Sequence, residues 1–504
     1  MSVRSGLVTL LVVLTAACSS GGSDAASDGT AQPSSTSTTV PLGPPVDVTI
    51  DGPVTGGKRD LPYNAMPEGF EDRYGYTEEE WFVSGEATAF EPSGALTDDG
   101  KWTVTPGTTA PYTTRILVRH PKDAADFNGV VLVEWNNVTA GRDSDPDFGF
   151  LHPEILGQGY AYIGVSAQAI GITGGDGRLE IPGVPPEATD PLQVWDPERY
   201  ASLSHPGDAY SYDIFSQIGA IAEGRASTNP LEGFTPTAVI ALGESQSASR
   251  LVTYVDAVQP VADTYDGVLI HSRGGGAAPL GDSPAGMPPT GTRVRTDLDI
   301  PVLVFETETD FSFLGFLPAR QPDTDRIATW EVAGTAHADQ STLDYGIASG
   351  SRWSDAGAGI DLTALCGPAN DGPQPEVARA ALEALRAWVV DGTPPPASPD
   401  LMTAPDGALL RDADGNARGG IRTPAVDAPV SSLTGVGNDS SVFCSLFGQE
   451  HPLSAGRLAE LYPTHTDYVE AVTTSADAAV ASGFLLEVDR DAIVDEAERS
   501  SVGG

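Results

Sequence analysis

Short apolar runs recur along this chain at intervals that suit a parallel sheet. Tyr112–Val118, Gly129–Glu134, Tyr160–Val165, Ala238–Leu242, Gly267–His271, Val302–Phe305 and Ala328–Val332 are each four to seven residues long and rich in Val, Ile, Leu and Ala. Continuous rather than alternating apolarity marks strands covered on both faces. Between them lie stretches with helical spacing: Leu151–Gln158, Tyr210–Ala222, and Ser247–Val258 with Leu251, Val252 and Val255 on one face. Glu376–Val390 is a late helix, stopped by Asp391-Gly392 and the prolines 394–396. Strands alternating with helices predict an α/β fold with a mostly parallel central sheet flanked by helices. Ahead of it, Val48–Phe90 reads as a β-rich N-terminal extension, and the residues beyond the late helix read as C-terminal insertions.

The N-terminus departs from this pattern. Arg4 precedes an apolar run, Gly6–Thr15, which ends in Ala16-Ala17-Cys18. The run is too short to span a bilayer but suits a secretory signal. Cys18 behind two alanines resembles a bacterial lipobox cysteine that is lipidated after cleavage. Thr15 stands where such boxes usually carry Leu, Val or Ala, so ordinary signal cleavage is the alternative. Residues 19–45 are rich in Ser, Thr, Gly, Asp and Pro and hold almost no large apolar side chain, which predicts a disordered tether. The expected organisation is therefore a signal segment over 1–18, a tether over 19–45 and one catalytic unit over 46–504, exported and held to the outer face of the membrane only through a lipid anchor.

Composition narrows the function classes. Seventy acidic side chains against 27 basic ones give a formal net charge of −43, which repels polyanions and argues against nucleic-acid partners. Of three cysteines, Cys366 and Cys444 remain after Cys18. In an exported chain they are expected to form one disulfide, the alternative being two buried thiols. No Cys/His spacing suits a metal, and no cofactor is expected.

Candidate chemistry centres on Gly243-Glu244-Ser245-Gln246-Ser247, which joins the strand Ala238–Leu242 to a helix. A nucleophilic serine on a tight strand-to-helix turn needs small neighbours two residues away on each side. Gly243 supplies one, and Ser247 replaces the usual glycine at the other. The pentapeptide alone reads more readily as a helix-capping serine. Order adds weight to it: the strand Val302–Phe305 leads into Glu306-Thr307-Glu308-Thr309-Asp310, and the last strand leads into Ala333-Gly334-Thr335-Ala336-His337. An acid and then a histidine after the serine, each past a strand end, could orient the imidazole and accept the serine proton. Asp310 is the favoured acid, with Glu308 as runner-up and Glu306 behind it. The other six histidines fall ahead of the serine, at His271 beside Arg273, or far towards the C-terminus. For the oxyanion, backbone N–H groups of Gln246 and of Asn136 or Asn137 are the candidates, with Asn137 preferred.

The stretches Asn128–Thr139, Gly159–Gln168, Asp196–Ile214, Ala241–Ser249, Tyr265–Gly274, Ile300–Asp310, Ala333–His337, Gly392–Pro396 and Gly420–Pro429 resemble a bacterial α/β-hydrolase family known as alpha/beta hydrolase domain-containing proteins. The resemblance implies the α/β-hydrolase fold and a Ser245, Asp310, His337 triad. It also implies a carboxylesterase-like serine hydrolase that takes a small-molecule ester through an acyl-enzyme. A peptidase, lactonase or acyltransferase variant, or a surface-binding lipoprotein on a silent hydrolase scaffold, are the other readings.

Overall fold

The computed structural model describes residues 43–175, 179, 189–353 and 362–504. The signal segment, Cys18 and nearly all of the tether lie outside them.

Nine strands form one sheet in the order β1-β2-β3-β5-β4-β6-β7-β8-β9. They are β1 (Thr49–Asp51), β2 (Tyr76–Pro92), β3 (Val104–Pro121), β4 (Val130–Trp135), β5 (Ala161–Val165), β6 (Ala238–Glu244), β7 (Gly267–His271), β8 (Val302–Glu306) and β9 (Ile327–Glu331). From β5 onwards in that order all neighbours pair in parallel, while β1, β2 and β3 are antiparallel. This is the mostly parallel sheet that the apolar runs predict.

Alternation along each buried strand sorts its side chains to opposite faces. Val131, Val133, Val239, Ala241, Val268 and Ile270 pack with Ile214, Ile218 and Leu251 of the helices Ser211–Ala222 and Gln246–Thr253. Val130, Leu132, Ile240, Leu242 and Leu269 face the other way, onto Leu151, Ile155, Val377 and Leu385 of the helices Pro146–Gly157 and Gln374–Asp391. Helices thus cover both faces, and every residue of β4, β5, β6, β7 and β8 is buried.

The expected N-terminal extension is part of this sheet. β2 and β3 form a long hairpin at its edge, with Tyr76 opposite Pro121. Glu78 and Glu80 on β2 share a face with Arg115 and Arg119 on β3, and all four are buried or nearly so. The pairs Arg115–Glu80 (2.5 Å) and Arg119–Glu78 (2.9 Å) would be costly with either member missing. The same arginines reach Asp143 at 3.5 Å and Asp145 at 2.8 Å, which pins the loop that follows β4. Ser211–Ala222 and Gln374–Asp391 match their predicted spans within a few residues. The helix over Gln246–Thr253 changes to a π-helical turn at Tyr254–Val258.

Beyond the late helix, β10 (Ser431–Thr434) and β11 (Gln449–Pro452) form a small antiparallel sheet, and His465–Ala481 packs on Glu487–Arg499 around Val472, Ala476 and Val494. Cys366 and Cys444 are joined in a disulfide. Among the described residues no helix is long and apolar enough to cross a membrane.

Candidate active site

The parallel strands bring their C-terminal ends to one edge, where open α/β sheets place their sites. β6 ends at Glu244 and a helix starts at Gln246, so Ser245 alone makes the turn, at φ 63° and ψ −114°. A non-glycine residue is strained there and needs its surroundings to hold it. The Ser245 N–H donates to the His271 carbonyl at 2.9 Å, which ties the turn to β7. Crowding explains the small flanking residues: a Cβ on Gly243 would stand 2.9 Å from Leu251 Cδ1 and 3.1 Å from Ser247 Cβ. Ser247 is itself fully buried, so its small side chain fits without reaching the surface.

His337 arrives on the loop after β9. Its Nε2 lies 2.7 Å from Ser245 Oγ, and its Nδ1 lies 2.8 Å from Asp310 Oδ1. The His337 N–H also donates to Thr309 Oγ1 at 3.1 Å, which fixes the backbone beneath the ring. Asp310 sits on the short helix Glu308–Ser312 after β8, where its Oδ2 accepts from the Thr307 N–H at 2.6 Å and the Thr307 hydroxyl at 2.8 Å. These bonds leave Oδ1 aimed at the imidazole.

The three carboxylates of this segment have separate surroundings. Glu308 turns away from His337 and accepts from the Gly334 N–H (2.7 Å), the Gly435 N–H (3.2 Å) and Arg411 (2.9 Å), so it stitches the C-terminal region to the sheet. Glu306 stays at the end of β8, buried, and neither of its oxygens has a hydrogen-bond partner among the described residues. Burial, then the nearby Asp310 charge, pushes its carboxyl well up, towards the neutral acid.

The oxyanion donors need one correction. The Asn137 N–H donates to the Ser144 carbonyl at 2.8 Å and the Asn136 N–H to the Val165 carbonyl at 3.1 Å, so both are already engaged. Val138, one residue on, lines the cavity beside Ser245, and its N–H has no partner among the described residues. The Gln246 N–H, at the start of its helix, is likewise without one. Asn137 contributes through its side chain instead: Nδ2 donates to the Glu244 carbonyl at 3.1 Å, and Oδ1 accepts from the Thr139 N–H at 2.8 Å.

Two buried groups escaped the sequence reading. Glu244, the second residue of the pentapeptide, has Oε1 3.1 Å from His337 Nε2. Burial pushes its carboxyl up to about 7, against the pull of His337 and His271. Burial alone would lower the His337 pKa; the Glu244 charge and then Asp310 outweigh it and hold the imidazole at about 9. The second is Asp147, whose Oδ1 lies 2.7 Å from His271 Nδ1. His271 is fully buried and also meets Gln374 at 3.2 Å, so it braces the floor of the site and does not line the cavity.

Ser245 opens onto a cavity of about 830 Å³. Val138, Ile170, Leu314 and Leu446 give it an aliphatic lining, and Gln168 and Asp208 a polar one. The Asp208 carboxylate accepts from Gln168 (2.8 Å), the Ala169 N–H (3.1 Å) and Arg250 (2.8 Å). No cluster of three or more His, Cys, Asp or Glu suited to a metal occurs among the described residues.

No curated protein matches this chain in sequence. Among solved structures it is similar to XC6422 from Xanthomonas campestris, described as an a/b serine hydrolase without lid, at 10% identity and a TM-score of 0.27 over 54% of this chain and 96% of that one. Glucuronoyl esterase from Solibacter usitatus is similar at 11% identity and 0.27, over 58% and 82%. Esterase Est22 is similar at 15% identity and 0.28, over 59% and 85%. The model of the alpha/beta hydrolase domain family matches residues 50–495, and the chain belongs to that family.

Proposed function

We propose that this protein is an exported serine hydrolase that cleaves carboxylic esters through an acyl-enzyme on Ser245. The observation that carries the reading is the run of contacts Ser245 Oγ–His337 Nε2–Asp310, at 2.7 and 2.8 Å, on a strained turn that faces a cavity. With Asp310 accepting from Nδ1–H, Nε2 is free to accept the Ser245 proton. Oγ then adds to the ester carbonyl. The oxyanion meets the N–H groups of Gln246 and Val138 near a helix N-terminus, where its charge is favoured. His337 passes the proton to the departing alcohol, and water repeats the cycle to release the acid. None of these steps calls for a cofactor.

The cavity, part aliphatic and part polar, suits a small uncharged ester; among the described residues its one charged lining group, Asp208, is already paired with Arg250. Hydrolysis of p-nitrophenyl acetate and butyrate by the full chain, lost in Ser245→Ala, tests the assignment. Binding of ligands with no turnover of any ester would favour a silent surface-binding protein instead. Export and lipid anchoring at Cys18 rest on the signal-like N-terminus, and export alone is supported by the disulfide, which persists in oxidising compartments. Incorporation of labelled palmitate, abolished by Cys18→Ala, tests the anchor.

A further inference from the structure

Glu244 occupies a place that a carboxylate tolerates only with a proton or a cation beside it. It is 5% exposed at the end of β6, and its Oε1 stands 3.1 Å from the same His337 nitrogen that meets Ser245. The Asn137 amide holds it there, donating to its backbone carbonyl and, at 3.3 Å, to Oε2. The other titratable groups that act on it are His271 at the end of β7, Asp147 on Pro146–Gly157, and Asp310 after β8. While Nε2 is unprotonated, its lone pair and the carboxylate repel. Once Nε2 carries a proton, the contact becomes an attraction between opposite charges.

We propose that Glu244 is a positioning residue whose charge, 3.1 Å from Nε2, stabilises the His337 imidazolium and thereby sets the pH range in which Ser245 can be activated. It acts through His337, and the inference rests on the serine-hydrolase reading above. During acylation the Ser245 hydroxyl proton moves to Nε2 as the Oγ–carbon bond forms. The Glu244 carboxylate stabilises the new imidazolium through charge alone, leaving Nε2–H aimed at the reacting atoms, while Asp310 holds Nδ1–H. When the carbon–oxygen bond to the leaving group breaks, the proton goes to that oxygen, and Nε2 again faces Ser245 unprotonated. The same carboxylate acts on the resting enzyme. It stabilises the imidazolium before substrate arrives, so towards neutral pH the base is increasingly blocked by its own proton. The sign follows: removing the charge makes His337 easier to deprotonate and moves the acid limb to lower pH.

The test is the rate of Ser245 phosphonylation by a fluorophosphonate against pH, in the full chain and in Glu244→Gln. An opposite charge at this range raises an imidazole pKa by about 1–3 units. Glu244→Gln should therefore move the acid limb down by at least about one unit, and raise the ratio of the rate at pH 7 to that at pH 9.5 about tenfold or more. That ratio cancels any uniform loss from disturbed packing. Glu244→Asp, which keeps the charge, should keep the limb nearer that of the unaltered protein. An acid limb unmoved in Glu244→Gln overturns the proposal and leaves the serine-hydrolase reading intact. No labelling of the unaltered protein at any pH overturns that reading itself. If Glu244→Gln does not fold, the His337 ring nitrogens can be titrated by NMR in the unaltered chain; a midpoint at or below about 6.5 also overturns the proposal.

Discussion

Asp310→Asn changes one atom and should remove most of the activity, for a reason visible in its hydrogen bonds. Asp310 Oδ2 accepts from two donors, the Thr307 N–H at 2.6 Å and the Thr307 hydroxyl at 2.8 Å. An asparagine would have to turn its carbonyl oxygen to those donors, because its NH2 cannot accept. The NH2 then faces His337 Nδ1, at the position where Asp310 Oδ1 now stands 2.8 Å away. Nδ1 must become the acceptor, and the ring proton moves to Nε2, which points at Ser245 Oγ from 2.7 Å. In that tautomer the ring cannot take the serine proton. Trapping the wrong tautomer in a serine triad costs about 10⁴ in kcat, roughly 5.5 kcal/mol at 1.36 kcal/mol per tenfold. The assay is p-nitrophenyl acetate hydrolysis together with fluorophosphonate labelling, with circular dichroism to show that the fold is kept. Glu308→Gln is the comparison. Glu308 bonds Arg411 and the Gly334 and Gly435 N–H groups, so its loss should cost about 1–3 kcal/mol of stability while kcat stays within about tenfold. Less than a tenfold loss in Asp310→Asn, with a large loss in Glu308→Gln, would refute the reasoning.

The acid limb of the pH–rate profile follows from His337, whose pKa Glu244 and Asp310 hold at about 9 despite burial. Below that value the base is protonated, so the rate should climb as pH rises towards about 9, and an acid limb at the ordinary histidine value of about 6.5 would contradict it. The Cys366–Cys444 disulfide closes a separation of 78 residues, and the double serine variant should lose about 2–5 kcal/mol in urea unfolding. That variant should also show a raised KM, because Leu446 of the cross-linked segment lines the cavity and its carbonyl accepts from the Ala338 N–H at 3.0 Å. Unchanged stability and KM would show that the cross-link leaves the cavity wall unaffected.

The sheet was legible because its strands are buried on both faces, so Val130–Val133 or Ala238–Leu242 announce themselves as unbroken apolar runs. The hairpin arm Tyr76–Pro92 was less so. Its acidic start, Tyr-Thr-Glu-Glu-Glu, reads as solvated surface until Arg115 and Arg119 are seen opposite it. The turn at Ser245 was legible from a strand, a small residue and a helix in sequence. Which of Glu306, Glu308 and Asp310 would face His337 was not, since it depends on where the chain begins its short helix and on Arg411, about a hundred residues later. The preference for the Asn137 N–H failed because a bridge to Ser144 engages it. Glu244 was passed over for a similar reason: nothing beside it in the sequence shows that a histidine from the loop after β9 comes within 3.1 Å of its carboxylate.

The central claim is that Ser245 is the residue that becomes acylated. Incubating the full chain with a fluorophosphonate and measuring intact mass, followed by peptide mapping, tests it directly. A single adduct on the peptide containing Gly243–Ser247, absent in Ser245→Ala and abolished when His337 is replaced by Ala, is the predicted result. An adduct on another serine, or one that persists in Ser245→Ala, would contradict the account.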